Sequence, residues 1–386
     1  MKLLIIAHAA WRYTGYGVPV LPLVRELRKQ GHEAAVLAVE ERGPGKLEYR
    51  GVKHYLPFRR PYGEDMVRAC MKDFGAEAVI SLIDPWVFAP AEALAGLNWM
   101  AWCAVDQEPP QRGLTSRLAH ASRVLPFSEW GAAALRQAQG ATGIEARAMP
   151  IGIETKVFKP VGREERDRLR ESAGLPAGAF VAGMVGAYAG PDRKALKENI
   201  AGFCQFAEGH PEAHLLLWCA GAGGMVDEYR GARGAAGERV IPVSEWQVRY
   251  GGRPEALAGF SGMLDVLLQA SAAEGFGLPI LEAMACGVPA IGAANSSMTE
   301  LIPERVGWLV SDLRPEWGLA GGYWHRPTAE GVAAALRQAQ EALADEAVRQ
   351  CMSQDCRGWA SGFDWEIVGE RWGVVFAKLD WTILAG

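Results

Sequence analysis

Glu274 and Glu282 stand at the two ends of the run Glu274-Gly-Phe-Gly-Leu-Pro-Ile-Leu-Glu282, whose residue types suit a loop that turns into a helix. Gly275 and Gly277 let the backbone come close to a ligand. Pro279 suits the first helical position, where its missing N–H costs nothing. The open amides at such a helix start favour phosphate, and carboxylates at either end can accept hydrogen bonds from hydroxyl groups. A ligand with a diphosphate between two polyols meets all of these demands, and a nucleotide sugar is such a molecule.

Chain-wide alternation of strand and helix must position this run. Apolar runs at Lys2 to Ala7, Ala34 to Val39, Ala78 to Leu82, Met100 to Ala104 and Val124 to Phe127 read as strands, with a short further strand reaching Met149. Helices are expected over Val18 to Gln30, with Val20, Leu21, Val24 and Leu27 on one side, and over Glu129 to Gln139. From Pro150 to Gly178 the chain is rich in proline and charge, with an exposed helix around Arg163-Glu-Glu-Arg-Asp-Arg168. A second alternation follows, with strands at Phe180 to Val185, Ala213 to Trp218, Arg239 to Pro242, Asp265 to Leu268, Val288 to Gly292 and Gly307 to Val310. This is the pattern of parallel sheets covered on both faces, and such sheets bind ligands beyond the carboxyl ends of their strands. Gly221-Ala-Gly-Gly224 lacks the Lys-Ser/Thr of a P-loop and reads as a strand-end turn. Past Ser361 an apolar pattern of helical spacing, with Asp364 able to cap it, closes the chain.

A chain of 386 residues with 49% hydrophobic content can bury two cores. No apolar run is long enough to cross a bilayer, and the first residues read as a buried strand, not a leader. Seven scattered cysteines without metal-pair spacing point to reduced thiols and a cytoplasmic setting, with Cys351 and Cys356 as small packed residues. The net charge of -5 argues against a general nucleic-acid or membrane-surface binder. The charge is uneven. Residues 1 to 150 carry 18 Lys and Arg against 15 Asp and Glu, a balance of +3, leaving 22 against 30, or -8, for the rest. Arg42, Lys46, Arg50, Lys53, Arg59 and Arg60 face only Glu48, and read either as a patch for a phosphate-bearing acceptor or as a solvated basic loop.

The run from Glu274 to Ile291 resembles the donor-site signature of the retaining glycosyltransferases of family four, also called group 1. Pro150-Ile-Gly-Ile-Glu154 with Phe158 and Pro160 is similar to that family's interdomain segment. Gly186 through Asp192-Arg193-Lys194 resembles its phosphate-contacting turn. Pro126-Phe-Ser-Glu129 and the Gly15-Tyr-Gly17 loop fit as well, so the likeness spans almost the whole chain. It implies an α/β chain of GT-B fold, two Rossmann-like doubly wound parallel-sheet domains facing a central cleft. The acceptor-binding domain would be 1–158 plus a returning helix in 363–386, and the donor domain 159–362.

The resemblance also assigns roles. Arg193 and Lys194 would contact the diphosphate, Glu274 would hold hydroxyls of the transferred sugar, and Glu282 would hold the ribose. The amides around Phe276, Gly277 and Leu278 would face the phosphates, with Gly275 giving close approach. Asp106 stands where many relatives carry a histidine near the reacting carbon, and reads either as a group that orients the sugar or steadies charge at the anomeric centre, or as a turn residue before prolines. Glu108 is the weaker candidate. Many relatives also carry an arginine where this chain has Ala187, and Arg193 or Lys197 would compensate. The glycines of the Arg12 to Gly17 loop, Gly15 and Gly17, would bring backbone towards the cleft, where Tyr13 or Tyr16 could stack on a sugar.

The expected reaction is transfer of a hexose, with retention and without a metal or other cofactor, from a UDP- or GDP-sugar to an acceptor hydroxyl. The acceptor is expected to be a glycan, a glycolipid or a phosphate-bearing molecule, with a modified nucleic acid as the remote case. The setting is cytoplasmic, with attachment at a membrane surface as an option and no transmembrane segment. Two alternatives stay open. One is a nucleotide-sugar-binding protein with a decayed site, suggested by Ala187 and the absent histidine; the other is a GT-B sugar-nucleotide epimerase.

Overall fold

A computed structural model describes residues 1–377 apart from 42, 44, 139–144, 189–191, 222, 251, 319 and 320. The chain divides into two compact units, Met1–Gly152 with Gly318–Gly322 and Phe363–Gly386, and Ile153–Trp317 with Tyr323–Gly362. The division falls at Gly152, ahead of the expected boundary after Phe158. A Cβ at Gly152 would lie 2.4 Å from Cδ2 of Trp365, a residue of the same unit.

The first unit holds a seven-stranded sheet in the order β3-β4-β2-β1-β5-β6-β7. Its strands are β1 Lys2–His8, β2 Glu33–Val39, β3 Lys46–Tyr49, β4 Val52–Tyr55, β5 Ala78–Leu82, β6 Trp99–Cys103 and β7 Arg123–Pro126. Every pairing is parallel except β3 with β4. Leu3 to Ala7 are fully buried, as the continuous apolar run of a two-sided parallel strand requires. The helix Val20–Lys29 lays Val20, Leu23, Val24 and Leu27 on this sheet. Among the described residues the expected strand reaching Met149 is reduced to a single bridge. That bridge, Val124 to Ala146, and the bonds from Arg147 N to Val124 O (3.1 Å) and Met149 N to Pro126 O (2.8 Å) take its place.

The helix Trp365–Ala377 belongs to the same unit. Its Trp365 and Trp372 meet Trp102 edge-on, at ring separations of 6.4 and 5.2 Å. Asp364 accepts the Glu366 amide at 2.8 Å and so opens the helix, as its sequence position suggested. Among the described residues of the basic run, Lys46 and Lys53 both reach Asp73, the latter at 3.8 Å, and Arg60 pairs with Glu64 at 3.2 Å. Glu48 is therefore not the only opposing charge: Asp73 and Glu64, more than ten sequence positions from Glu48, are folded against the run. Arg42 lies outside the described residues.

The second unit carries β8 Phe180–Ala187, β9 Ala213–Ala220, β10 Val240–Pro242, β11 Val266–Gln269, β12 Ala290–Ala293 and β13 Gly307–Val310. They form one parallel sheet in the order β10-β9-β8-β11-β12-β13. The strand order reverses between β8 and β11, and in doubly wound sheets ligands bind outside the carboxyl ends of the strands at such a reversal. An antiparallel hairpin, β14 Leu313–Trp317 and β15 Tyr323–Pro327, follows. Its exposed polar residues hid it from a search for apolar runs. The turn at Gly221 passes directly into a helix, Gly223–Gly231.

The helix Arg163–Ser172 is less exposed than its charge suggests. Arg166 and Arg170 reach the buried Asp265 carboxylate at 2.7 and 2.8 Å, and Arg349 reaches it at 2.5 Å. Burial pushes the Asp265 carboxyl up, but the three guanidiniums outweigh it and hold the group below its ordinary value. Cys356 is buried as expected, whereas Cys351 is exposed on the outer side of its helix.

Candidate functional site

Lys194 follows β8 and Glu274 follows β11, so the reversal point brings together residues 80 positions apart. Glu274 is buried. Its Oε1 accepts hydrogen bonds from Lys194 Nζ at 2.5 Å, Ser271 Oγ at 2.7 Å and Gln269 Nε2 at 3.4 Å, and its Oε2 accepts one from Arg193 Nη1 at 3.2 Å. Burial by itself would raise this carboxyl. The two cations and the hydrogen bonds from Lys194 and Ser271 prevail and bring it down to about 2. Burial also lowers Lys194, with Glu274 opposing that shift and Arg193 adding to it. Two cations thus share one carboxylate, a grouping whose cations suit an anion.

The turn bearing the cations is held from several sides. Asp192 caps the helix Leu196–Ala207, accepting from the amides of Leu196 (3.1 Å) and Lys197 (3.3 Å). The Arg193 carbonyl accepts the Ala272 amide at 2.9 Å. Buried Asn199 donates to the carbonyls of Ala195 and Ala270 at 2.7 and 2.9 Å, joining the helix to the end of β11. Residues 189–191, within the expected phosphate-contacting turn, lie outside the described residues.

Beyond Glu274 the chain enters the helix Leu278–Ala285 through Gly277, whose φ of 109° is left-handed and needs glycine. A Cβ there would also sit 3.1 Å from side-chain carbons of Ile280 and Leu301. Pro279 falls one residue later than expected, still within the first turn, which has no intrahelical acceptor for the Leu278 amide. Two serines that the sequence did not single out shape this entry. Ser296 Oγ accepts the Glu274 amide at 2.9 Å, and Ser297 Oγ donates to the carbonyls of Glu274 (2.9 Å) and Phe276 (2.6 Å). Phe276 is buried and packs the turn from inside.

Glu282 is one helical turn deeper and has an opposite environment. It is buried, and among the described residues no ion pair or hydrogen bond reaches its carboxyl, which burial pushes up to about 7. The motif's two glutamates therefore sit in opposite environments, one shifted down by its cations and one shifted up by burial.

Asp106, Gly15 and Gly17 belong to the first unit, while Arg193, Lys194, Glu274, Gly275, Phe276, Gly277, Leu278 and Glu282 belong to the second. Asp106 follows β6 at the carboxyl edge of its sheet and is partly buried. In the loop after β1 the Gly17 amide bonds to the Thr14 carbonyl at 3.0 Å, and a Cβ on Gly17 would come within 2.3 Å of the Arg12 carbonyl oxygen. Gly17 is there so that the loop can close on itself. Gly15 is exposed and meets no such constraint. The Tyr16 hydroxyl donates to Asp84 at 2.6 Å, so of the two tyrosines Tyr13 is the exposed one. His8, at the end of β1, bonds Thr14 Oγ1 through Nδ1 at 2.7 Å and approaches Glu40 with Nε2 at 3.5 Å. A lone histidine ending an apolar strand offers no sequence signal for that.

Two doubly wound parallel-sheet units make this a protein of the GT-B fold. Sucrose-phosphate synthase from Thermosynechococcus elongatus aligns with a TM-score of 0.74 over 98% of both chains at 22% identity. Anabaena HepE, solved in complex with UDP-glucose, aligns with a TM-score of 0.72 at 16% identity, over 98% of this chain and 100% of that one. Residues 246–316, which include both glutamates of the motif, match the family described as Glycosyl transferases group 1. Among curated proteins, the D-inositol 3-phosphate glycosyltransferase of Corynebacterium jeikeium is 23% identical over 307 residues, 76% of this chain and 67% of the relative's own length. No helix among the described residues is long and apolar enough to cross a membrane.

Proposed function

We propose that this protein is a retaining glycosyltransferase that moves a hexose from a UDP- or GDP-sugar to an acceptor hydroxyl. The observation that carries the reading is the Lys194–Glu274–Arg193 cluster at the β8/β11 reversal, beside a glycine-gated helix start. The HepE complex with UDP-glucose supports a nucleotide sugar as donor.

The donor diphosphate would lie against the Gly277 and Leu278 amides and pair with Lys194 and Arg193. These groups stabilise the departing nucleoside diphosphate as the glycosidic bond breaks, so the proposed chemistry needs no metal. As the phosphates engage the cations, Glu274 is freed to accept hydrogen bonds from sugar hydroxyls, and Glu282 takes the ribose.

The acceptor is proposed to be a glycan, a glycolipid or a phosphate-bearing polyol; the inositol phosphate named for the Corynebacterium relative belongs to the last class. The test is a panel of UDP-, GDP- and ADP-sugars followed by thermal shift and nucleoside diphosphate release, with Glu274→Ala and Lys194→Ala alongside. A selective shift with slow donor hydrolysis, both lost in the variants, supports the transferase. Binding without turnover in the presence of acceptors would favour the decayed-site reading that Ala187 suggests, and a changed sugar released without acceptor would favour an epimerase.

A further inference from the structure

We infer that Arg326, on the hairpin beyond the stretch matched by the family, is a positioning residue for the donor site, an inference that rests on the donor reading above. Arg326 lies on β15 and its side chain is about four-fifths buried. Its Nη1 donates to the Asp192 backbone carbonyl at 3.0 Å and to Glu198 Oε2 at 3.3 Å, while its Nε donates to Glu316 Oε2 at 2.6 Å. One guanidinium thereby joins three elements: the turn carrying Arg193 and Lys194, the first turn of the helix that follows it, and the facing strand β14.

The neighbouring backbone repeats the connection. The His325 amide donates to the Ala272 carbonyl at 3.0 Å, and Asn295 Nδ2 donates to the His325 carbonyl at 2.9 Å. Ala272 is the residue whose own amide holds the Arg193 carbonyl. The hairpin is thus bonded to both sides of the Lys194–Glu274 pair. Glu316, Glu198 and the Asp192 carbonyl occupy the Nε and Nη1 donors of Arg326, which is how it holds the turn. It acts through the turn. A planar fork with several fixed donors suits this work, and a lysine ammonium cannot serve all three acceptors together.

The measurement is binding of UDP, GDP and ADP by titration calorimetry, at a temperature where circular dichroism shows each variant folded. Arg326→Gln should weaken the tightest of the three about tenfold, and Arg326→Lys should fall between it and the parent. In a Lys194→Arg background, which keeps a cation at the site, the further loss from Arg326→Gln should shrink to about twofold or less, because the two residues act through one turn. A purely structural role would lower the melting temperature and leave nucleotide affinity unchanged, which would overturn the inference. Full additivity of the two losses would overturn it too. If the parent protein binds none of the three nucleotides, the donor reading fails and this inference fails with it.

Discussion

Replacing Glu282 by glutamine tests the environment of the site at a single group. The carboxyl is buried, burial is the sole cause of its shift, and the shift runs from an ordinary value of 4.5 up to about 7. Below 4.5 both the folded and unfolded states carry the proton and no stability is lost. Between 4.5 and about 7 the folded state keeps a proton that the unfolded chain has released, so stability falls as pH rises. At 1.36 kcal/mol per unit the loss reaches about 3 kcal/mol and is complete above about pH 7. Glutamine has nearly the same shape and no charge to desolvate. Glu282→Gln should therefore match the parent near about pH 4 and exceed it by about 3 kcal/mol near about pH 8, or about 6–12 °C in melting temperature for a unit of this size. Because the quantity compared is the difference between variant and parent, the titration of other carboxyls cancels. Donor affinity should move the other way, since an amide is a weaker acceptor than a carboxylate for a ribose hydroxyl. Urea unfolding of both proteins across this pH range checks the stability difference. A difference that stays flat with pH would refute the argument that Glu282 is buried without compensation.

Three further outcomes follow from the same geometry. Lys194→Met takes the nearer of two cations from the buried Glu274, and should cost about 3–5 kcal/mol in urea unfolding while abolishing nucleoside diphosphate release; adding Glu274→Gln should recover part of the stability and none of the activity. Gly277→Ala forces a left-handed φ on a residue with a Cβ and crowds Ile280 and Leu301, so it should lose about 1–3 kcal/mol and weaken nucleotide binding; an unchanged titration curve would contradict the phosphate-facing role of that turn. Asp265→Asn strips the shared carboxylate from three arginines and should lose about 3–5 kcal/mol. Since the Asp265 carboxyl is held below its ordinary value, its contribution is present above that value and disappears as pH falls through the folded-state value, so the gap between Asp265→Asn and parent should close on acidification. Nucleotide affinity of the folded variant should be unaffected, because Asp265 precedes β11 and the site lies past its other end.

The parallel strands were legible because strands buried on both faces leave continuous apolar runs, such as Leu3 to Ala7 and Val181 to Met184. The two antiparallel hairpins were not, because β3 and β14 are exposed along most of their length and carry no such run. At the site, Glu274, Gly277 and Glu282 could be picked out because glycine and proline mark a helix entry locally. Ser296, Ser297, Asn199 and Arg326 could not. Their importance lies in hydrogen bonds across 21 to 134 positions of sequence, and polar residues at such distances have no pattern to read. Arg166 misled for a related reason: an arginine in a charge-rich helix looks solvated until the carboxylate it serves, 99 positions away, is brought under it.

Neither residue type nor spacing distinguishes Glu274 from Glu282, yet the fold drives their protonation in opposite directions. Glu274 meets Lys194, Arg193 and Ser271, and stays ionised down to about 2. Glu282 meets none of these and rises to about 7. Opposed environments of this kind assign different work to like groups. A carboxylate already neutralised by two cations can surrender them to an incoming diphosphate without stranding a bare buried charge, because sugar hydroxyls replace the lost donors. An uncompensated carboxyl has the reverse incentive. It gains by acquiring a hydroxyl donor, so ribose binding and ionisation of Glu282 should reinforce each other. Nucleotide affinity of the parent should then rise as pH passes from about 6 to about 8, and that rise should vanish in Glu282→Gln. Alkaline loss of activity would arise separately, from Lys194, whose lowered value releases its proton earlier than an ordinary lysine. A pH profile of binding that keeps its rising limb in Glu282→Gln would show that the ribose contact lies elsewhere.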